Sequence, residues 1–355
     1  MLEGTSMEST ILNFSGSDHW PLQLWMDISA TPGKKPFRFE KFWLDHPDFQ
    51  ENIQTWWREA EVPSGSKMYR FQQKLKNLKL TLKLWNQNTF GNIFDAKKQL
   101  SAQMEGIQHQ IRLQGLTREL KAQEISINQQ LGERKRQEEI LWKQKSQVQW
   151  LKERERNTNF FHRTVIQRRH SNKITHLISD EGDVVHSHED MEATLIEYFQ
   201  NLLTKPPVDR LEAINKVTQH VPSLVTPKQN AAFLRPITIE EVDQALQETP
   251  KCKASGLDSF TSDFFHHCWT MIRTKVWEIL EDSRALGQIL QALNATFITL
   301  VPKEGQAHHP KKFRPIDLCN VIYKLLTKVI ARRLKTILPT IISLEQLGYV
   351  EADRS

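Results

Sequence analysis

The stretch from Phe297 to Lys335 constrains the fold of this chain most strongly. An apolar run ends in Pro302-Lys303, a short polar loop follows, and a second run begins at Phe313-Arg314. Two such runs predict antiparallel strands, and the periodicity of residues 321–335 predicts a basic amphipathic helix. Lys303 and Arg314 would then flank one loop, an arrangement suited to binding phosphate oxygens. An ordinary hairpin with solvated Lys and Arg side chains explains the spacing equally well.

Positive charge is concentrated in two segments. Residues 143–173 and 303–335 each carry nine Lys or Arg against two acidic residues, although the net charge of the whole chain is only +6. Residues 174–250 carry thirteen acidic residues against five basic ones. Segregation of this kind favours two basic faces that attract an acidic polymer. Two solvated helix faces are the alternative.

The composition also argues against several classes of protein. No apolar run approaches the length of a membrane span, and the N-terminus does not have the pattern of a signal peptide. Three cysteines (Cys252, Cys268 and Cys319) do not suggest a disulfide framework, so we expect an intracellular protein, nuclear or cytoplasmic. His266 and His267 precede Cys268, but no second cluster has zinc-like spacing, so ordinary packing is the favoured interpretation.

Residues 66–157 have the pattern of a long helical arm with few Gly or Pro. Gly91 and Gly115 are the predicted breaks. Apolar residues recur at three- and four-residue spacing: Leu75, Leu78, Leu82 and Trp85, then Leu100, Met104, Ile107 and Ile111. This predicts a helical hairpin or a short antiparallel coiled coil. Self-association through the apolar stripe is the less favoured alternative.

Aromatic and basic residues are interleaved at the end of this arm. Such a pattern is suited to stacking on bases and binding phosphates, although an amphipathic helix with a wet basic face is an equal alternative. The candidate nucleic-acid contacts here are Lys152, Arg156, Asn157, Phe161, His162, Arg163, Arg168, Arg169 and Lys173. The candidates in the second basic segment are Lys311, Lys312, Lys324, Lys328, Arg332 and Arg333.

Several of these motifs resemble the polyproteins of non-LTR (LINE-type) retrotransposons. Pro302-Lys303, the run from Phe313 to Asn320, Tyr323-Lys324 and the run from Ala331 to Lys335 match the fingers region of their reverse transcriptases position by position. The resemblance implies that Lys303 and Arg314 contact the triphosphate of an incoming nucleotide. It also implies that the basic extension before the fingers helps to hold template RNA.

A second motif departs from the family pattern. Residues 253–260 match Lys-Ala-Pro-Gly-Pro-Asp-Gly-Phe at Lys, Ala, Gly, Asp and Phe. Ser255, Leu257 and Ser259 replace the two prolines and the second glycine. The substitutions predict a less rigid turn, with strain at Ser259 if its φ is positive.

The N-terminal residues resemble the end of the endonuclease that these polyproteins carry. Asp18 and His19, before a strand-like Leu22 to Trp25, match its last motif. The family enzyme is a metal-dependent phosphodiesterase that needs upstream Asn, Glu and Asp residues. The eighteen residues before His19 contain no such set, so we do not expect this pair to catalyse.

Taken together, the sequence predicts a mainly α fold with short β-strands (α+β), in which a helical arm precedes part of a fingers subdomain. The predicted segments are an endonuclease remnant at 1–60, the arm at 66–157, an N-terminal extension of the reverse transcriptase at 158–250 and a partial reverse transcriptase at 251–355. We expect apolar surface to be exposed where the palm would pack.

Polymerisation needs palm carboxylates that hold two metal ions, one of them supplied by an Asp-Asp pair. The chain has no adjacent pair of Asp residues. We therefore expect it to bind no cofactor, although the full-length family needs Mg²⁺, and to be unable to polymerise or cut DNA alone. RNA and DNA are the candidate partners, and a membrane is not. The alternatives are a non-catalytic nucleic-acid-binding protein, a helical self-association protein or a relic without function.

Overall fold

The computed structural model of the protein describes residues 7–11, 22–26, 37–147, 158–179, 182–204, 210–220, 222–305 and 307–342. The chain divides into two compact units, residues 1–37 and 38–355. In the first unit, strands β1 (Met7–Ile11) and β2 (Leu22–Met26) pair antiparallel, with Met7 opposite Met26. Asp18 and His19 lie outside the described residues.

The second unit is mainly helical. After a short 3-10 helix at Lys41–Asp45, its first part contains α1 (Phe49–Glu59), α2 (Lys67–Thr89), α3 (Ile93–Gln114), α4 (Arg118–Ser146) and α5 (Thr158–Ser171). Next come β3 (Leu177–Ile178), β4 (Val184–Val185), α6 (His188–Leu203), α7 (Leu211–Thr218), α8 (Pro227–Leu234), α9 (Ile239–Gln247), α10 (Ser262–His267) and α11 (Trp269–Leu286). The last elements are α12 (Gln291–Asn294), β5 (Thr296–Pro302), a 3-10 turn at Pro310–Lys312, β6 (Phe313–Cys319), α13 (Val321–Lys335) and α14 (Leu338–Ile341). The predicted mainly α fold with short strands is confirmed.

Helices α3 and α4 form the predicted helical hairpin. Gly91 and Gly115, the predicted breaks, both have positive φ, +60° and +82°. Glycine is suited to both positions because it has no Cβ to oppose that conformation. Thr117 caps α4 through its side chain, which accepts a hydrogen bond from the Leu120 amide at 3.2 Å.

One part of the core of the second unit lies where the start of this unit meets α2 and α10. Phe39 is fully buried, and its ring lies 5.4 Å from that of Phe264 and 5.2 Å from that of Trp43. The Gln144 side chain from the end of α4 holds this segment in place: its Oε1 accepts from the Lys41 amide and its Nε2 donates to the Phe39 carbonyl, both at 2.8 Å. Residues 38–60 thus fold with the second unit.

Two short β-hairpins complete the second unit. In the first, Leu177 lies opposite Val185, and each strand is only two residues long. In the second, β5 and β6 pair from Thr296 opposite Cys319 to Pro302 opposite Phe313. Apolar side chains at the middle of this hairpin are exposed: Phe297 (52%), Ile298 (42%) and Ile316 (44%). In the described part of the chain, no helix combines the length and the apolarity that a membrane crossing requires.

Candidate nucleic-acid interface

The tip of the β5–β6 hairpin brings Lys303 and Arg314 together. Arg314 lies opposite Val301, and the Lys303 amide continues the ladder by donating to the Lys312 carbonyl at 2.9 Å. Alternate residues of a strand share a face, so Lys303 and Arg314 are diagonal neighbours on one face. The Cα atoms of such neighbours lie about 7–8 Å apart. Both side chains are exposed. The predicted hairpin with two cations beside one loop is therefore present.

Two more lysines belong to the same tip. The Lys303 ammonium donates to the Lys311 carbonyl at 2.7 Å, which fixes the path of the loop. The Lys312 ammonium lies 3.0 Å from the Glu304 carboxylate, so part of its charge is compensated within the loop. With Lys311 exposed beside them, the tip carries four cations and one acid.

Asn320, at the end of β6, connects this hairpin to the loop at residues 253–260. Its Oδ1 accepts from the Asp258 amide at 3.0 Å, and its Nδ2 donates to the carbonyls of Ala292 and Leu293 at 3.2 and 3.1 Å. Gly256 packs against it so closely that a Cβ there would lie 2.5 Å from the Asn320 amide nitrogen. Two motifs that are far apart in sequence therefore form one structure.

The same loop contains a carboxylate with an unusual environment. Asp258 Oδ1 accepts from the Phe260 amide at 3.0 Å, while Oδ2 is sealed from solvent and has no hydrogen-bond partner among the described residues. Burial raises the pKa of Asp258 to about 6, against the opposing charges of Lys324 and Lys79. Ser259 has a φ of +72°, so the strain predicted at this position is present.

Acidic residues compensate the basic face of α13. Glu248, just after α9, lies 3.2 Å from the Arg332 guanidinium and 3.8 Å from the Lys328 ammonium. Lys324 is half-buried and lies close enough to Asp258 to oppose the rise in the pKa of that carboxyl. The surface of α13 is therefore less positive than the sequence of the helix indicates.

Arg333 does not lie on an open surface, which corrects the prediction that it contacts nucleic acid. It is only 9% exposed, and its guanidinium donates to both carboxylate oxygens of Glu241 at 2.8 and 2.9 Å. It also donates to the carbonyls of Phe233, Arg235 and Pro236 at 2.7–3.0 Å. The ion pair lowers the pKa of Glu241. Arg333 is therefore a structural residue that holds α9 and the segment before it against α13.

Helix α5 presents a second basic surface beside the end of the arm. His162 lies against the edge of Trp142 of α4, with ring centroids 4.4 Å apart. The Lys145 ammonium lies 5.1 Å from the centroid of the same Trp142 ring. The Arg168 guanidinium donates to the carbonyl of Ser146 and still reaches solvent. The exposed cations of α5 also include Arg163 and Arg169, and Lys173 lies just past the end of the helix.

Phe161 is also placed differently from the prediction. It is 2% exposed and packs, with Val165, on the face of α5 that meets the core, so it has no ring surface to offer a base. Lys152, Arg156 and Asn157 lie outside the described residues. Trp142, with His162 at its edge, remains an aromatic group of this surface.

The His266–Cys268 group is a packing feature. Cys268 is 1% exposed, and burial raises the pKa of its thiol to about 12. A ring nitrogen of His266 (Nε2) lies 2.9 Å from the Thr249 carbonyl. Within the described ranges, no group of three or more His, Cys, Asp or Glu side chains is placed to hold a metal ion.

Comparison with known proteins reveals a distant relationship. No protein-family profile matches the sequence. A stretch of 202 residues, 57% of the chain, is 27% identical to a Xenopus laevis protein described as the transposon TX1 uncharacterized 149 kDa protein. This chain is related to a transposon protein. It spans about 15% of the length of the Xenopus protein, and the relationship agrees with the retrotransposon resemblance of the motifs.

Sequence reasoning missed how residues of this transposon-related chain compensate one another. Glu241 and Glu248 lie in an acidic segment whose negative charge was visible, yet nothing in the sequence indicated that they face α13. The Trp142–Lys145 contact had a signal in the sequence, because residues three apart on a helix lie on the same face. For the role of Asn320, the sequence offered no signal beyond the place of this residue in the motif.

Proposed function

We propose that this chain is the fingers-side part of a LINE-type reverse transcriptase that binds nucleoside triphosphate and RNA but does not polymerise by itself. The observation that carries the proposal is the placement of Lys303 and Arg314 on one face of the β5–β6 tip. The motif match supports the same assignment, and the related transposon protein supports the retrotransposon origin on which it depends.

The chemistry of the tip fits a polyphosphate. A triphosphate presents several charged oxygens in a row, and two exposed cations from diagonal neighbours on one face can each contact a different phosphate group. Arg314 offers a planar pair of donors, whereas Lys303 offers a point charge. Because Lys303 also donates to the Lys311 carbonyl, its ammonium is held beside the loop.

The α5 surface supports the RNA part of the proposal. Its cations are exposed and lie beside Trp142 and His162, which provide one aromatic edge. Contacts of this kind are electrostatic first, so the affinity falls steeply as the salt concentration rises. The surface lies on helix α5, whereas the triphosphate tip belongs to the β5–β6 hairpin, so the two activities can be separated by substitution.

A fluorescent nucleoside triphosphate tests the first activity. We expect K303A and R314A each to weaken binding about five- to tenfold, since each removes a charge-assisted contact with phosphate. K98A, which removes an exposed lysine from the helical arm, is the charge-matched control and should bind like the wild type. Equal affinity in K303A, R314A and the wild type would exclude the tip as the triphosphate site.

Primer extension on an RNA template with Mg²⁺ and all four nucleotides tests the second part. We expect no templated product, because the chain contains no adjacent pair of Asp residues to hold the catalytic metals. Templated product from the pure protein that K303A abolishes would show that this chain polymerises alone.

A non-catalytic RNA-binding protein is the second candidate, favoured by the exposed α5 cations. Fluorescence anisotropy with a short single-stranded RNA separates the two candidates. In the proposed function, K303A lowers triphosphate affinity but leaves RNA affinity nearly intact, while R169A together with K173A lowers RNA affinity and the salt slope. The second candidate would be favoured by a wild type that binds RNA but no triphosphate, together with a loss of RNA binding in the R169A and K173A double variant.

A further inference from the structure

Three histidines from separate places in the sequence form a cluster beside the loop of the β5–β6 tip. The rings of His176 and His308 are stacked, with centroids 4.0 Å apart and planes 18° apart. The ring of His186 lies 5.6 Å from that of His176, with the planes 37° apart. His176 immediately precedes β3, His186 immediately follows β4, and His308 lies in the loop between β5 and β6.

The cluster coincides with a backbone connection between the same segments. The Ile178 amide donates to the His308 carbonyl at 2.7 Å, so the edge of the β3–β4 pair is joined to the loop. Each strand of this pair is only two residues long, and so small a sheet supplies little stability of its own. The imidazole stack and this hydrogen bond therefore both join β3–β4 to the loop.

Protonation opposes this arrangement. Two imidazolium rings stacked at 4.0 Å would repel each other, while neutral rings pack as aromatic groups. The charged groups that act on His176 are His308 from the loop and His186 from the end of β4, and the Thr175 hydroxyl lies 3.2 Å from its Nδ1. Loss of hydration, followed by the charges of His308 and His186, lowers the pKa of His176.

We propose that His176, His186 and His308 form an acid-sensitive clasp, which joins the β5–β6 loop to the β3–β4 pair when the rings are neutral and releases it when they are protonated. The lowered pKa of His176 gives the direction of the pH dependence. A folded-state pKa below the ordinary value means that the unclasped state binds more protons, so the clasp is complete above about pH 6.5 and weakens as the pH falls through the lower, folded value. The proposal does not depend on what the tip binds.

Amide hydrogen exchange of Ile178 tests the clasp directly. After correction for intrinsic exchange, we expect its protection to fall about tenfold between pH 7.5 and pH 5, while that of Ile279 in the core helix α11 does not fall. In the wild type, the imidazole C–H signals followed by NMR should show His176 titrating below the ordinary histidine pKa of about 6.5. This second measurement needs no variant to fold.

Matched variants separate titration from packing. H308F keeps a ring that can stack but cannot be protonated, so Ile178 should stay protected and its protection should lose most of its pH dependence. H308A should lose protection at both pH values, and H109F, a control on a distant helix, should behave like the wild type. Ile178 protection that does not change with pH in the wild type, or that changes as much in H308F, would overturn the proposal.

Discussion

The side-chain oxygen of Asn320 accepts a hydrogen bond from the Asp258 amide, which lies 62 positions earlier in the chain. The same side chain donates to two carbonyls at the end of α12. One buried amide group thus connects the 253–260 loop, α12 and the end of β6. The orientation of the hairpin that carries Lys303 and Arg314 depends on this connection.

Replacing Asn320 with alanine should therefore destabilise the protein. The change leaves one amide and two carbonyls without their partner in a site that is 1% exposed, and each unsatisfied buried group costs about 1–3 kcal/mol. We expect the free energy of unfolding, measured with urea, to fall by about 2–4 kcal/mol. The control N294A removes an exposed asparagine at the end of α12. It should change the free energy of unfolding by less than about 0.5 kcal/mol. Equal stability of N320A and the wild type would contradict the role of this side chain.

Neutralising Glu248 should increase the affinity for RNA. The E248Q substitution frees Arg332 and Lys328 from their acidic neighbour and adds their charges to the surface of α13. We expect RNA to bind roughly two- to fivefold more tightly at low salt, with a steeper salt dependence. E212Q makes the same charge change on the exposed helix α7. An equal increase in E212Q would show that only net charge matters.

The burial of Asp258 should make stability depend on pH. Its folded-state pKa of about 6 lies above the ordinary 3.8, so the stabilisation is complete below about pH 3.8 and is lost as the pH rises through about 6. D258N cannot ionise, so it should be more stable than the wild type at pH 7.5, by about 1–2 kcal/mol, and should lose this advantage near pH 4. Thermal unfolding at the two pH values measures this. A constant difference between the two proteins would show that Asp258 does not titrate in this range.

A glycine at position 147 should stabilise the end of the arm. Gln147 terminates α4 with a φ of +53°, a conformation that suits glycine at the end of a helix. We expect Q147G to raise the free energy of unfolding by about 0.5–1 kcal/mol, because it removes the strain of a Cβ in the left-handed region. Q147A retains the Cβ and should show no gain. A loss of stability in Q147G would mean that the Gln147 side chain contributes contacts that outweigh the strain.

Local patterns in the sequence were enough for the elements but not for the contacts between them. The strand–loop–strand–helix at 297–335 and the breaks at Gly91 and Gly115 depend on neighbouring residues, and all are present. Arg333 could not be assigned in this way, because its partner Glu241 is 92 positions away. A basic residue on a helix has the same local sequence whether it faces solvent or a buried carboxylate.

Phe161 illustrates the same limit for aromatic residues. Its position among cations is typical of a stacking residue, but the periodicity that buries Phe161 and Val165 on one face of α5 is equally visible in the sequence. The face of α5 that is buried is decided by its packing against α4, and the charged residues around Phe161 in the sequence do not indicate which face that is. The β5–β6 tip was predictable because both cations belong to one hairpin, whose register follows from the two strands alone.

The absence of space beside Gly256 has a consequence for the history of this element. Every missense change at that codon adds a side chain at a point only 2.5 Å from the Asn320 backbone, so natural selection for the folded protein would remove each of them. A copy that has ceased to be selected accumulates such changes freely. The sequences of sister copies at this single codon, compared with their silent changes, would therefore distinguish a lineage that still uses the protein from one that only inherits it.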